Sequence, residues 1–409
     1  MTATLSKAQL IRYLAGCLAS FIAGHIINFG VVQYVQEVLH SQALAGAALF
    51  VAFGTPLFLG MHGGALCDRM SPLTVVRCYL LGFILGVLVL AVTASVPLLR
   101  ALHVPLVLLG ALGAGIGWAY VAPARLAYLG KSLPPGALRG PTIVFNLLST
   151  LGFGAAPLLV GLVRQWGGWP HAFLLAAALF VLSLVVYARL PHPSQPAAPA
   201  PNATVGWVGA ARDAFAYVRR APLVGELLVF SAFVHLMIGP VQVVLPRLAA
   251  ENLGLSHAGR GAFISALAPM LIVGGIAALL LRGLKRPGRA MATSAVAAAV
   301  PMMALGQMQN VAAALVCYGL FAVLGGLGVS LLAALLQQST QDSYRGRVMS
   351  VYTISTQFIP AASGLVCGLL MTQLSPSTTL TGYTGVLLVL GLVLVVRAKA
   401  IRQVDPSVG

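Results

Sequence analysis

Long apolar stretches separated by short polar segments run through the whole sequence. A transmembrane helix needs about 20 mainly apolar residues, and the pattern predicts twelve such helices. In the first half the predicted spans are Leu10–Val35, Ala43–Leu66, Val75–Leu98, Val104–Tyr128, Thr142–Val163 and Ala172–Leu190. In the second half they are Val224–Leu245, Gly261–Leu281, Ala290–Leu305, Val311–Leu336, Val348–Leu370 and Leu380–Val396. We therefore expect an all-α membrane protein, because helices satisfy their own backbone groups in lipid.

A proline-rich segment divides the predicted spans into two sets of six. Residues 191–201 hold five prolines, which favours an extended linker over a helix. The stretch 207–220 that follows is amphipathic, and it is either a helix on the inner membrane surface or a solvated linker helix. The predicted domains are a bundle over 1–190, a cytoplasmic linker over 191–221 and a second bundle over 222–409.

Matching segments in the two halves indicate an internal repeat. Leu138-Arg139-Gly140 precedes span five, and Tyr344-Arg345-Gly346 precedes span eleven at the same point of the second half. Repeated halves around a linker are typical of transporters whose two bundles rock around a central site. We expect two six-helix bundles related by a pseudo-two-fold axis.

Composition agrees with the membrane prediction. The chain is 59% hydrophobic and 8% charged, with a mean hydropathy of +0.96, whereas a soluble domain has about 25% charged residues. These values exclude a soluble enzyme, a disordered chain and, despite a net charge of +17, a nucleic-acid binder. The sequence contains no P-loop, HExxH or GxSxG motif, so we expect no enzyme activity, no cofactor and no resident metal.

The positive charges predict the orientation. Most lysines and arginines, with Arg125 counted among them, fall in the loops that share a side with the two termini. The other side holds Arg100, Arg164, Arg247 and Arg260. Cytoplasmic loops carry the excess of Lys and Arg, so both termini are predicted to be cytoplasmic.

Two motifs resemble those of the major facilitator superfamily. Residues 64–72 read GALCDRMSP, which resembles the loop motif GxLADRxGR after span two, with Ser71 and Pro72 as departures. In span five, Gly152, Pro157 and Gly161 resemble the exporter motif GxxxGPxxGG, with Ala156 and Val160 in place of two glycines. An ordinary glycine-rich membrane helix is the alternative explanation for the second motif.

Three further segments are similar to the branch that holds the enterobactin exporter and the macrolide-efflux proteins. They are residues 123–125, residues 245–247 and residues 337–350. The resemblance implies the major facilitator fold and export of a bulky small molecule, such as a siderophore or a drug-like metabolite, by proton antiport. It also implies a monomer in a bacterial inner membrane. The alternatives are a facilitator or importer on the same fold, including a metal carrier, and a receptor or assembly factor that does not transport.

Ionisable side chains inside spans are candidates for proton transfer. His25 and His235 lie near the centres of spans one and seven, which are counterparts in the two halves. Histidine titrates at about pH 6.5 in water, so it can gain and lose a proton under physiological conditions. The pair is therefore either a proton carrier or two neutral hydrogen-bonded core residues. Glu226 lies about one turn inside span seven, where it either carries a proton or pairs with Arg219 or Arg220.

The remaining candidates fall into two sets. Uncharged polar residues of the spans are expected to line a substrate cavity, where amides and aromatic rings bind a large ligand. The residues expected to line this cavity are Asn28, Gln33, Tyr120, Asn146, Gln242 and Gln357. Residues of the loop and span-five motifs and their counterparts are expected to act in gating, although inner arginines also satisfy the positive-inside rule alone. This set is Gly64, Asp68, Arg69, Arg139, Gly152, Pro157, Gly161 and Arg345.

Overall fold

The computed structural model describes residues 5–96, 101–192, 215–281 and 284–403. Helices account for nearly all of these residues, and they contain no β-strand. The first five helices are α1 (Lys7–Val38), α2 (Gln42–Arg69), α3 (Pro72–Ser95), α4 (His103–Ser132) and α5 (Arg139–Ala188). The next six are α6 (Pro222–Leu236), α7 (Ile238–Val243), α8 (Leu245–Glu251), α9 (His257–Ser265), α10 (Leu267–Leu280) and α11 (Pro287–Ala297). The last five are α12 (Ala299–Leu305), α13 (Val311–Ser339), α14 (Asp342–Leu370), α15 (Pro376–Arg397) and α16 (Lys399–Arg402).

The helices confirm the predicted membrane architecture. Eleven apolar helical segments among the described residues are long enough to cross a membrane. One of them, Gly140–Ala188, has 49 residues, which at about 1.5 Å per residue suffices for two crossings. Gly168 breaks it with a φ of 67°, a left-handed conformation that glycine adopts without strain. The eleven segments thus correspond to twelve crossings, and the prediction of a multi-pass all-α protein is confirmed.

Local sequence signals explain where several helices begin. The Ser6 hydroxyl accepts the backbone N–H of Gln9, and the Ser6 N–H donates to the side-chain oxygen of Gln9, which completes a capping box at the start of α1. Ser41, Asn310 and Ser375 cap α2, α13 and α15 through their side-chain oxygens. Proline occupies the first turn of other helices, where its missing N–H has no partner to lose.

The described chain forms two compact units. The first comprises Met1–Ala203 and also Ser256–Ser265, so α9 belongs to it although it lies far along the sequence. Its central helix is α1, which packs on α5, α2 and α4 and is buried along most of its length. Arg77 of α3 fixes the end of α5, because its Nη2 atom donates to the carbonyls of Tyr187 at 2.7 Å and Leu190 at 3.2 Å.

The second unit comprises Thr204–Leu255 and Ala266–Gly409. In it α14 packs on α6 and α7, and α13 packs on α10 and α11. The short helix α16 is attached to α6 by backbone bonds to Glu226, described below. Residues 193–214, which hold most of the predicted linker and amphipathic stretch, lie outside the described part of the chain.

Candidate functional site

The best-defined polar cluster of the first unit lies where α1 faces α4. Trp118 lies directly over Gly24, at which a side-chain carbon would be 2.6 Å from its Cζ2 atom. The Trp118 ring is 5.2 Å from the ring of His25, and Phe153 of α5 meets His25 edge-on at 5.1 Å. Asn28 is one turn further along the same side of α1. We call His25, Asn28 and Trp118 the His25 cluster.

Polar atoms of the His25 cluster are buried without partners. Asn28 is 1% exposed and His25 8%. Among the described residues, neither amide atom of Asn28, nor Nδ1 of His25, nor Nε1 of Trp118 has a hydrogen-bond partner. A buried polar group without a partner costs about 1–3 kcal/mol, so four such atoms on three neighbouring side chains indicate a site that a ligand or water completes.

Arg125 of α4 lies next to this cluster. The sequence pattern groups it with the inner basic residues, and the structure places it inside α4 rather than in a loop, since the side chain is 1% exposed and lies seven residues before the end of the helix. Its Nη2 atom donates to the hydroxyl of Ser20 at 2.5 Å, and its guanidinium lies 4.8 Å above the ring of Phe21. The predicted span Val104–Tyr128 already contained Arg125, and this position inside an apolar span was the sequence signal for its burial.

The second unit surrounds His235 differently. Its Nδ1 atom is 2.7 Å from the carbonyl oxygen of Ser231, one turn earlier in α6. Its ring is 6.1 Å from that of Tyr352, and the hydroxyls of Ser231 and Ser355 are 2.6 Å apart. His235 is therefore a buried histidine with one backbone partner. Gln242 is also buried, and its Oε1 atom has no partner among the described residues.

Other predicted lining residues lie apart from these clusters. Tyr120 bonds His62 at 2.8 Å and stacks on Tyr79 at 3.9 Å. Gln33 is buried near the far end of α1, whereas Asn146 of α5 is exposed. Gln357 is part-buried in α14.

Glu226 is part-buried at the start of α6. Its two carboxylate oxygens accept the backbone N–H groups of Ala400 at 3.2 Å and Ile401 at 2.8 Å. Such bonds satisfy donors at the beginning of a helix. The geometry favours a structural role for Glu226 in attaching α16.

Part of the predicted gating set packs α5 against its neighbours in the first unit. Gly152, Pro157 and Gly161 are buried in α5. Gly152 lies against Phe21 and Ile22 of α1, and Gly161 lies against the backbone of His257 at the start of α9. Arg69 ends α2 with an exposed side chain. The side chains at Gly64, Asp68, Arg139 and Arg345 lie outside the described residues.

A charge cluster that the sequence did not indicate lies at the end of α1. Glu37 forms ion pairs with Arg164 of α5 and with Arg260 of α9, the latter at 2.8 Å. Arg164 lies 3.7 Å over the ring of Trp169, and Arg260 contacts His257 at 2.6 Å. We call Glu37, Arg164, Arg260 and His257 the Glu37 cluster. No group of three metal-ligating side chains occurs within the described ranges.

Three comparisons relate the chain to known proteins. The sequence model of the Major Facilitator Superfamily matches residues 13–365. The chain is 26% identical to "Enterobactin exporter EntS" of Shigella boydii serotype 4 over 400 residues, covering 95% of this chain and 92% of that protein. It is 26% identical to the protein of the same name from Salmonella typhi over 397 residues, with the same coverage.

Solved structures show the same fold at low identity. A POT family transporter in complex with 5-aminolevulinic acid superposes with a TM-score of 0.77, 14% identity and 96% coverage of both chains. A bacterial homologue of the human lysosomal transporter Spinster gives a TM-score of 0.75 and 14% identity over 99% of this chain and 98% of that chain.

Proposed function

Because the chain belongs to the major facilitator superfamily, we propose that it exports a bulky small molecule by proton-coupled alternating access. The relatives named enterobactin exporters match over nearly their whole length, so enterobactin is the first cargo to test. We also propose that the protein is a monomer in a bacterial inner membrane and that both of its termini are cytoplasmic. Its proposed domains are the two bundles and the linker predicted from the sequence.

The observation that carries the proposal is the set of unpaired polar atoms in the His25 cluster. Ligand sites are mostly apolar, with a few polar groups that orient the ligand. Here Phe153 and Trp118 supply the apolar walls, while Asn28 and His25 supply buried groups with bonds still to make. We propose that cargo binds at this cluster in the first unit.

We further propose that histidines carry the coupling proton. Among the described residues, Nδ1 of His25 has no hydrogen-bond partner, and buried His235 has the carbonyl of Ser231 as its partner. Both lie in membrane-spanning helices, where ionisable groups are rare and commonly functional. Glu226 is less suited, because two backbone donors hold its carboxylate. Asp68, Arg69, Arg139 and Arg345 remain the proposed gating residues.

The test measures enterobactin in a bacterial host that lacks its own enterobactin exporter. Cells with the chain are expected to secrete enterobactin, and a protonophore is expected to stop this secretion so that enterobactin accumulates inside the cells. Asn28→Ala is expected to lower the apparent affinity roughly tenfold, which corresponds to one or two lost hydrogen bonds. His25→Asn alters the cluster as well as the proton carrier, and the secretion that remains is expected to be insensitive to the protonophore.

Asn252→Ala is the matched control, since Asn252 lies at the end of α8 outside the cluster. It is expected to export as the unaltered protein does. Secretion that persists unchanged with Asn28→Ala contradicts the proposed site. Accumulation of cargo inside the cell when the chain is present contradicts export and favours an importer.

A further inference from the structure

Arg125 is a cation buried in the first unit without a described counter-ion. The described ion pairs involve Glu37 and Glu251, and none includes Arg125. Its Nε atom has no hydrogen-bond partner among the described residues. A buried charge that lacks a partner is strongly destabilising, so selection for stability alone does not explain an arginine here.

The described surroundings of Arg125 provide attraction, but none of their described contacts is to a carboxylate. The hydroxyl of Ser20 accepts one bond, and the face of Phe21 lies beneath the guanidinium. A hydroxyl and a ring face satisfy a guanidinium only in part, because it has five N–H donors in a planar fork. That fork matches a carboxylate, which accepts two parallel bonds.

Aromatic contacts connect Arg125 to the His25 cluster. The ring of Phe21 is nearly parallel to that of Trp118, with 6.4 Å between centroids, and Trp118 contacts His25. The aromatic rings of Trp118 and Phe21 therefore connect His25 to the guanidinium of Arg125.

We propose that Arg125 is the anion subsite of the transport site and that the cargo presents a carboxylate-like oxyanion beside an aromatic ring. This inference rests on the proposed function and specifies the chemistry of its cargo. The aromatic ring packs among Phe21, Trp118 and Phe153. The oxyanion pairs with the guanidinium and uses the Nε donor that is unpaired here.

The first test compares the ligand-free stability of purified full-length variants in detergent. Arg125→Met is expected to unfold at the same temperature as the unaltered protein or a higher one, because it removes an uncompensated buried charge. Arg219→Met, on the exposed helical turn over 215–220, is the matched control and is expected to show no change. A markedly lower unfolding temperature for Arg125→Met shows a structural role and overturns the proposal.

The second test measures binding of benzoate by calorimetry, with benzyl alcohol as the uncharged match. Benzoate is expected to bind the unaltered protein more tightly than benzyl alcohol. Arg125→Met is expected to weaken benzoate roughly ten- to hundredfold, as loss of charge-assisted bonds predicts, and to leave benzyl alcohol unchanged. Arg125→Lys is expected to retain part of the preference, because it keeps the charge and loses the planar fork.

Three results overturn the inference. The first is equal binding of the two probes by the unaltered protein, and the second is a preference for benzoate that survives Arg125→Met. The third is competition in which chloride alone occupies the site and excludes benzoate, which shows an inorganic anion site. Binding of benzoate is measured without transport, so a cargo other than enterobactin leaves this test unaffected. Loss of the Arg125 effect likewise leaves the export assay standing.

Discussion

The carboxylate of Glu226 lies at the start of α6, where both of its oxygens accept bonds from the backbone of α16. Glu226→Ala is expected to lower the free energy of unfolding by about 1 kcal/mol, the usual effect of losing a helix cap. Glu226→Gln is expected to lower it less, since its amide oxygen still accepts one bond. Thermal unfolding in detergent measures both effects.

The same variants separate a structural Glu226 from a proton carrier. We expect export by Glu226→Gln to stay sensitive to a protonophore, whereas export by His25→Asn loses that sensitivity. A Glu226→Gln protein with unchanged stability and no proton-dependent export would instead assign the coupling proton to Glu226.

Single residues also show how far the sequence reaches. The burial of His25, Asn28 and Gln242 follows from their positions inside apolar spans. Their partners do not, because a helical pattern gives the position of a side chain on its helix but not which helix faces it. Trp118 and Arg125 approach α1 only in the folded unit.

At the scale of helices, the packing of α1 on α5 depends on Gly152. A side-chain carbon there would lie 2.7 Å from Cβ of Phe21 and 3.0 Å from its backbone carbon. Gly152→Ala is expected to destabilise the protein by about 1–3 kcal/mol, since overpacking displaces the two helices. Thermal unfolding of the purified protein checks this value.

Gly140→Ala is the control on the same helix. No atom of the described residues lies within 4 Å of a carbon added at Gly140, so alanine is expected to be neutral or to stabilise α5 by about 0.5–1 kcal/mol through helix propensity. Equal unfolding temperatures for the two variants would show that the contact at Gly152 does not limit the packing.

At the scale of the whole molecule, the Glu37 cluster holds α9 in the first unit. Glu37 is bonded to Arg164 of α5 and Arg260 of α9. Glu37→Gln leaves two part-buried guanidinium groups without a counter-ion in the cluster, so α9 is expected to detach more readily. Hydrogen–deuterium exchange over residues 256–265 is expected to accelerate severalfold.

Glu251→Gln provides the matched comparison. Glu251 pairs with Arg247 one turn away on α8, and both side chains are substantially exposed. Exposed pairs contribute about 0–1 kcal/mol, so exchange over 256–265 is expected to stay as it is. If exchange over residues 256–265 is as slow in Glu37→Gln as in the unaltered protein, apolar packing alone holds α9 in place.

The sequence by itself determined the class of protein, its apolar spans and their helical form. Lipid requires about 20 apolar residues per span and internal satisfaction of the backbone, and both requirements are local along the chain. The break at Gly168 within α5 and the capping of α1 by Ser6 are local in the same way.

Only the tertiary structure decided which charges and polar atoms meet. Glu37 and Arg260 are 223 positions apart, and Ser20 and Arg125 are 105 apart. Such pairs depend on which helix faces which, and helix packing is set by the combined fit of many side chains rather than by any one segment. For that reason Arg125, counted in the sequence as a topological charge, became a buried cation only in the fold.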